Sequence, residues 1–403
     1  MASFGTHVGA KASRNGGGDT CRGPLGLGES GGAVRPRPVA AAAGHAIDGA
    51  RRPRVALPAA SVAYDGGVPP SLSVVIPVYN EPAWIGQVVA DLVVAVERSS
   101  FAAVELIAVD DGSDEPTRDA LLALSTPFPM RVLRQPNQGR FAARRTGIEA
   151  ASGDLVLLLD SRVSIRPDAL EFVVSEMERT GPAPIWTAHV DYELGFSPFG
   201  RIWCVLEFLA WRDYLRNPRT LSYGLEDYDR YPKGTTCFIA PRASMLEAIE
   251  SFHSYFEDLR EANDDTTLIR PLAARQPINI SPGFSCLYRP RTKLRPFMRH
   301  AFHRGGVFVD GYGRPGSRFF AVIAAFYPLS ALTAVLALRH RRRALGAAAA
   351  APLAGAGAGI VLRRPAADAL ALAMVGPLWL IAFAAGMWRG LWLASLALLR
   401  RAR

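Results

Sequence analysis

Carboxylates stand at the ends of three short apolar runs. Glu81 follows SVVIPV (73–78), Asp110 and Asp111 follow VELIAV (104–109), and Asp160 ends DLVLLLD (154–160). One acid after such a run means little. Three sites that share one edge of a sheet can bind a ligand's N–H groups or hydroxyls, or hold a cation. Asp111 in DDGS also suits a helix cap or an Asx-turn. Further along, Asp264 and Asp265 are adjacent. Like-charge repulsion raises one pKa of such a pair, which suits a general base near neutral pH. The same pair also suits the N-terminus of a helix. His300 and His303 have i, i+3 spacing but no third metal partner in view, and RPFMRHAFHRGG (295–306) reads more readily as a basic interfacial helix. The four Cys form no CxxC pair.

The elements that must position these groups follow from periodicity. Runs 73–78, 104–110, 130–135 and 154–160 are short, apolar and rich in β-branched residues, so they read as buried strands. Between and after them, 82–98, 114–124, 139–151 and 167–179 have helical spacing. Strands alternating with helices predict a parallel sheet covered on both faces, with ligands at the carboxyl ends of its strands. Residues 183–290 are less regular. Within them 199–215 is helical and aromatic, 233–240 reads as a strand and 242–252 as a helix.

The 403 residues carry a net charge of +10, unevenly distributed. Residues 1–69 carry +4, residues 70–288 carry −10, and residues 289–403 carry +16. A nucleic-acid partner is disfavoured, because the basic charge lies outside the expected folded domain. Residues 1–69 are Gly-, Ala- and Arg-rich without period and read as a low-complexity tail, with no signal peptide. Residues 319–338 and 369–388 are long enough to cross ~30 Å of hydrocarbon, whereas 344–362 is weaker, being mostly Ala and Gly. RHRRR (339–343) follows the first segment. If all three segments cross, this basic loop lies opposite the preceding domain, against the positive-inside rule, so either the middle segment is re-entrant, or the first two are interfacial, or the rule gives way. The organisation read is a tail at 1–69, an α/β domain at 70–312 and a membrane region of two to three helices at 313–403.

SVVIPVYNE (73–81), VDDGSDE (109–115), NQGRFAARRTGI (137–148) and GDLVLLLD (153–160), in this order, resemble the inverting glycosyltransferases of family 2, with a GT-A fold. The resemblance covers about residues 71–310. It implies a nucleotide-sugar donor whose base is held by Pro77, Tyr79, Glu81 and Asp111, with Arg144 reaching base or phosphate. Arg145 replaces the family's usual Asn. The family's Asp-x-Asp reads Asp160-Ser161-Arg162. Asp160 keeps the ribose role and is the remaining metal candidate. Mn²⁺ or Mg²⁺ is the implied cofactor, but Arg162 stands where the metal-binding acid would be. A guanidinium can also neutralise a leaving diphosphate, so Arg162 is expected to act as an electrophilic clamp. EANDDTTLIR (261–270) resembles the family's Glu-Asp-x-x-Leu motif, which makes Asp265 the base and Asp264 its neighbour. Lys233-Gly234-Thr235 matches a turn that lines the sugar pocket in relatives.

The resemblance implies a membrane-attached enzyme that moves a sugar, with inversion, to a lipid-linked or glycan acceptor. A UDP-sugar is the first guess for the donor. The expected location is the cytoplasmic membrane, multi-pass, with the catalytic domain facing the cytoplasm. Trp203, Phe208 and Trp211 are a candidate aromatic ledge at the interface, or plain core. Two other readings stand: a processive polysaccharide synthase, disfavoured by the missing Gln-x-x-Arg-Trp, and a non-catalytic membrane scaffold.

Overall fold

The computed structural model describes residues 69–181, 185–195 and 197–401. The tail expected at 1–69 lies almost wholly outside the described residues. The first strands are β1 (Leu72–Val78), β2 (Val104–Asp111), β3 (Met130–Gln135) and β4 (Leu155–Leu159). They pair in the order β3-β2-β1-β4, all parallel. Parallel pairing brings the carboxyl ends of β1, β2 and β4 to one edge, as their acids require. The connecting helices are α1 (Ile85–Glu97), α2 (Glu115–Leu122) and α3 (Arg140–Ala150). Asp114 caps α2 by accepting from the Thr117 amide at 3.2 Å. Pro82 sits in the turn before α1 rather than in its first turn.

Beyond β4 the sheet becomes mixed. The chain adds β5 (Val163–Ile165), α4 (Ala169–Thr180), β6 (Ile185–Tyr192), α5 (Pro198–Ala210), α6 (Arg212–Leu215), β7 (Leu221–Tyr223), β8 (Cys237–Pro241), α7 (Arg242–Glu250), α8 (Thr266–Ala273) and β9 (Ile278–Tyr288). The order continues β4-β8-β6-β9-β5, with β7 beside β9. β8 is antiparallel to both β4 and β6, while β6 and β9 are parallel. The mostly parallel sheet expected is therefore a parallel half joined to a mixed half. The single helix read over 199–215 breaks at Trp211 into α5 and α6.

Strand alternation divides the core between the two faces. Val74 and Ile76 of β1 pack with Ile85, Leu92 and Val173 of α1 and α4. Val75 packs on the other face with Phe141, Ile148 and Met245 of α3 and α7. The last helices are α9 (Leu294–Tyr312), α10 (Phe320–Arg339), α11 (Arg341–Val361) and α12 (Ala366–Arg401). The last three are long and apolar enough to cross a membrane. The segment read at 369–388 is part of one longer continuous helix, Ala366–Arg401.

Candidate active site

The site is built around Arg144, which α3 carries into the interior with no exposed surface. Its guanidinium donates to Asp264 and, at 2.6 Å, to Asp160 Oδ1. It also donates to the Thr235 carbonyl at 3.3 Å and lies 3.7 Å from Asp265 Oδ1. One turn earlier, Arg140 reaches Asp264 at 3.4 Å and Asp160 at 3.9 Å. The i, i+4 spacing places both arginines on one face of α3. Arg304 of α9 stands 3.5 Å from the other oxygen of Asp265. The carboxylates Asp160, Asp264 and Asp265 thus meet three arginines at the carboxyl edge of the sheet.

Asp265 occupies the N-cap position of α8 without capping it. Asn263 accepts from the Thr266 amide at 2.7 Å instead, which frees Asp265 to turn inward. There it accepts from the Thr235 hydroxyl and, at 3.2 Å, from the Thr235 amide. Asp310 of α9 fixes Asn263 in turn, accepting from its amide at 2.6 Å and from the Tyr255 amide at 2.7 Å. Burial works to raise the Asp265 carboxyl. Arg144, Arg140, Arg304 and Thr235 together outweigh it and hold the group well below the usual carboxylate range. This is opposite to the upward shift expected from two adjacent acids, because the arginines are nearer opposite charges. Asp160 is raised, with burial the larger influence against Arg144 and Arg140.

Glu81 stands in the loop after β1. Arg162 donates to it at 2.8 Å, and Arg291 stands 3.9 Å away. Burial raises the Glu81 carboxyl against the pull of both arginines. Arg162 also donates to the carbonyls of Arg289, at 3.0 Å, and Pro290, at 3.4 Å, and stacks 5.6 Å from the Trp84 ring. The guanidinium at position 162 therefore ties the loop after β1 to the segment leaving β9. Pro77 is the sixth residue of β1, and Tyr79 beyond it is half exposed.

Asp111 is neither a helix cap nor an Asx-turn. Its carboxylate accepts from the Gln138 and Gly139 amides, both at 2.9 Å, and from the Gln135 side chain at 2.8 Å. Its neighbour Asp110 makes the local turn, accepting from the Ser113 amide at 2.8 Å. Lys233 is buried among Tyr228, Trp211 and Tyr312, and burial lowers its ammonium to about 8. His300 packs 4.9 Å from Trp203, and burial followed by Arg291 and Arg304 drives its imidazole well below its ordinary value. His303 faces Glu261 at 3.4 Å. Trp203, Phe208 and Trp211 form no common ledge. Trp203 packs on Phe297 and Trp379, Phe208 lies under Arg364, and Trp211 flanks Lys233.

No group of three or more His, Cys, Asp and Glu side chains among the described residues is arranged to hold a metal ion. The acids that meet at the cleft are each paired with arginine. A divalent cation at Asp160 would have to displace Arg144 or Arg140, so this donor set does not fit a resident metal.

The sequence motif does not single out Arg140. Its spacing from Arg144 was the available signal, but periodicity cannot say which face of α3 meets the acids. Thr235 was marked only through a turn, and Asp310 carried no local signal.

Residues 73–247 match the Glycosyl transferase family 2 model. The glycosyltransferase AglE of Haloferax volcanii is 34% identical over 116 residues, which cover 28% of this chain and 37% of that protein. An undecaprenyl-phosphate 4-deoxy-4-formamido-L-arabinose transferase of Aeromonas hydrophila is 36% identical over 107 residues, covering 26% and 32%. The chain thus spans about a third of the length of these curated relatives. A solved mannosyltransferase of Pyrobaculum calidifontis, in complex with GDP-Man and Mn²⁺, aligns over 84% of this chain and 91% of its own, at 18% identity and a TM-score of 0.47. Over residues 73–247, which lie on the mixed α/β sheet described above, this chain is similar to glycosyl transferase family 2.

Proposed function

We propose that the chain transfers one sugar from a nucleotide-sugar donor, with inversion, to a lipid-linked or glycan acceptor held at a membrane. The observation that carries this reading is the meeting of Asp160, Asp264 and Asp265 with Arg140, Arg144 and Arg304 at the carboxyl edge of the sheet. Such an edge offers carboxylates to a sugar or hydroxyl and guanidinium groups to a diphosphate. The catalytic unit proposed is residues 70–312.

In this reading the nucleoside lies against Pro77, Tyr79 and Glu81, in a pocket whose far wall is set by Asp111. Arg162 does not reach the diphosphate as a clamp; it holds Glu81 and thereby shapes the pocket. Arg140 and Arg304 are over a third exposed, and their pairs are long, at 3.4–3.9 Å. They are the cations placed to turn toward a diphosphate. Asp265 is ionised at neutral pH and accepts the acceptor's hydroxyl proton as the hydroxyl oxygen attacks the anomeric carbon. The bond to the diphosphate breaks on the opposite side, and its charge passes to the arginines. As Arg140 and Arg304 engage the diphosphate, their hold on Asp265 weakens and its basicity rises. No step needs a metal.

A second acceptor class has support of its own. Arg304 stands beside Asp265 at the mouth of the site, where it could bind a lipid phosphate. The Aeromonas relative is named for undecaprenyl phosphate. An ionised phosphate oxygen needs no base, so the two classes differ in their dependence on Asp265.

The test is sugar transfer to a lipid extract from UDP-, GDP- and dTDP-sugars, each with Mg²⁺ or with chelator. Transfer from one donor that survives chelator is expected. Binding of a nucleotide without transfer would support the scaffold, and long saccharide chains would support the synthase.

A further inference from the structure

α12 does not stand on the catalytic domain by one end; it lies along it. Near its start, Asp368 meets Arg201 of α5 at 3.2 Å and Arg364 at 2.7 Å. Further on, Trp379 packs 6.1 Å from Trp203 of α5. At Gly386 its backbone touches α9 so closely that a Cβ would collide with the Phe302 carbonyl. Arg389 then reaches Glu261 at 2.6 and 2.9 Å. Finally Arg400 meets Glu257 at 2.7 Å. From Asp368 to Arg400 is ~48 Å of helix, against ~30 Å of hydrocarbon. If α12 crossed a bilayer, Arg201, Glu261 and Glu257 of the domain would be drawn through it as well. Charged groups at membrane depth are costly, and a water-soluble sheet domain cannot follow them.

α11 packs closely along α12. Cβ atoms at Gly355 and Gly359 would meet the α12 backbone at Leu372, 2.6 Å away, and at Ala369, 2.6 Å away. α10 joins the layer where the Tyr327 hydroxyl donates to the Met387 carbonyl at 3.2 Å. The three helices expose Leu370, Met374, Ile381, Trp392, Leu353 and Leu332. Arg339 ends α10, Arg341, Arg342 and Arg343 open α11, and Arg363 follows its end. The one acid between residues 311 and 403, Asp368, is already paired with two arginines.

We propose that α10, α11 and α12 dock lengthwise into one leaflet of an anionic phospholipid bilayer and do not cross it. This deepens the membrane-held reading above and rests on it, but replaces the multi-pass arrangement expected from segment length. The apolar outer face enters the acyl region, and the arginines at the helix ends meet lipid phosphates. Arg339–Arg343 then lies on the same side as the catalytic domain, which removes the conflict with the positive-inside rule.

The test uses the full chain in inverted inner-membrane vesicles from a bacterial host. One form carries an epitope between Arg341 and Arg342, another at the C-terminus. Protease added without detergent should remove both epitopes as fast as it attacks the catalytic domain. A loop epitope protected until detergent is added, while the domain is cut, would overturn the proposal. So would a protected C-terminus, or a chain that does not sediment with the vesicles. If the insertion disturbs folding, Ala344→Cys labelled by a membrane-impermeant maleimide gives the same answer. Sugar transfer by the same vesicles is measured first. Transfer with a protected loop overturns the docking mode alone; an accessible loop without transfer overturns the enzymatic reading alone.

Discussion

At the scale of single residues, two acids separate chemistry from stability. Asp265 is held ionised by arginines, so Asp265→Asn keeps its volume and removes its basicity. With a hydroxyl acceptor, turnover should fall by roughly 10²–10⁴-fold while nucleotide affinity, read by calorimetry, stays within a few-fold. A fall under about tenfold in the same transfer assay would instead identify an ionised phosphate as the acceptor, since such an acceptor has no proton to lose. Glu207 of α5 tests the electrostatics around the site without entering the proposed chemistry. Burial raises its carboxyl to about 7, against the lowering influence of Tyr192, His189 and Arg304. A raised acid favours the folded state at low pH, and that contribution is lost as pH rises from its unfolded value to about 7. Wild type should therefore lose up to about 3 kcal/mol from this group between pH 5 and pH 8. Glu207→Gln should lack that slope, so the two melting curves should diverge as pH rises. Parallel curves would show that Glu207 is not buried in solution.

At the scale of elements, one glycine joins two loops of the site. Gly139 has φ +93° just before α3, and a Cβ there would lie 2.5 Å from Arg260 Cα. Its amide also binds Asp111. The residue therefore locks the loop after β3 to the segment that leads into Asp264 and Asp265. Gly139→Ala should cost about 2 kcal/mol or more, from the left-handed backbone and the contact together. Nucleotide binding should weaken with it. An unchanged melting temperature would show that the two loops are not in contact. The strand ends that carry Glu81, Asp111 and Asp160 were legible, because β-branched runs and turn residues mark buried strands locally. The pairing of β6, β8 and β9 was not, because mixed pairing depends on contacts between residues far apart in the chain. For the same reason Arg144 could be named from its motif, whereas its meeting with Arg140 and Arg304 around shared carboxylates needed the packing of α3 and α9. Position 162 could be seen to lack the family's acid, but not that its guanidinium turns to Glu81.

At the scale of the whole molecule, length and apolarity identified three membrane segments without saying how they lie. Both properties are the same for a helix that crosses and one that docks. The difference lies in the partners, and Arg201, Glu261 and Glu257 pin α12 along its length. Lengthwise docking also changes what the basic loop does. On a crossing hairpin, Arg341, Arg342 and Arg343 would sit on the far side of the membrane, and the charge of the near leaflet would not matter to them. On a docked layer they meet that leaflet directly, each contributing about 1 kcal/mol of attraction to anionic lipid. The triple variant R341Q/R342Q/R343Q should therefore bind vesicles of anionic phospholipid on the order of 10²-fold more weakly than the unaltered chain. Binding to vesicles of neutral phospholipid should be the same for both, because the apolar face is intact. The difference should shrink from 0.05 to 0.5 M salt, as a screened surface attraction must. Equal loss on neutral and anionic vesicles would mean that the arginines support the fold of the layer rather than its contact with lipid.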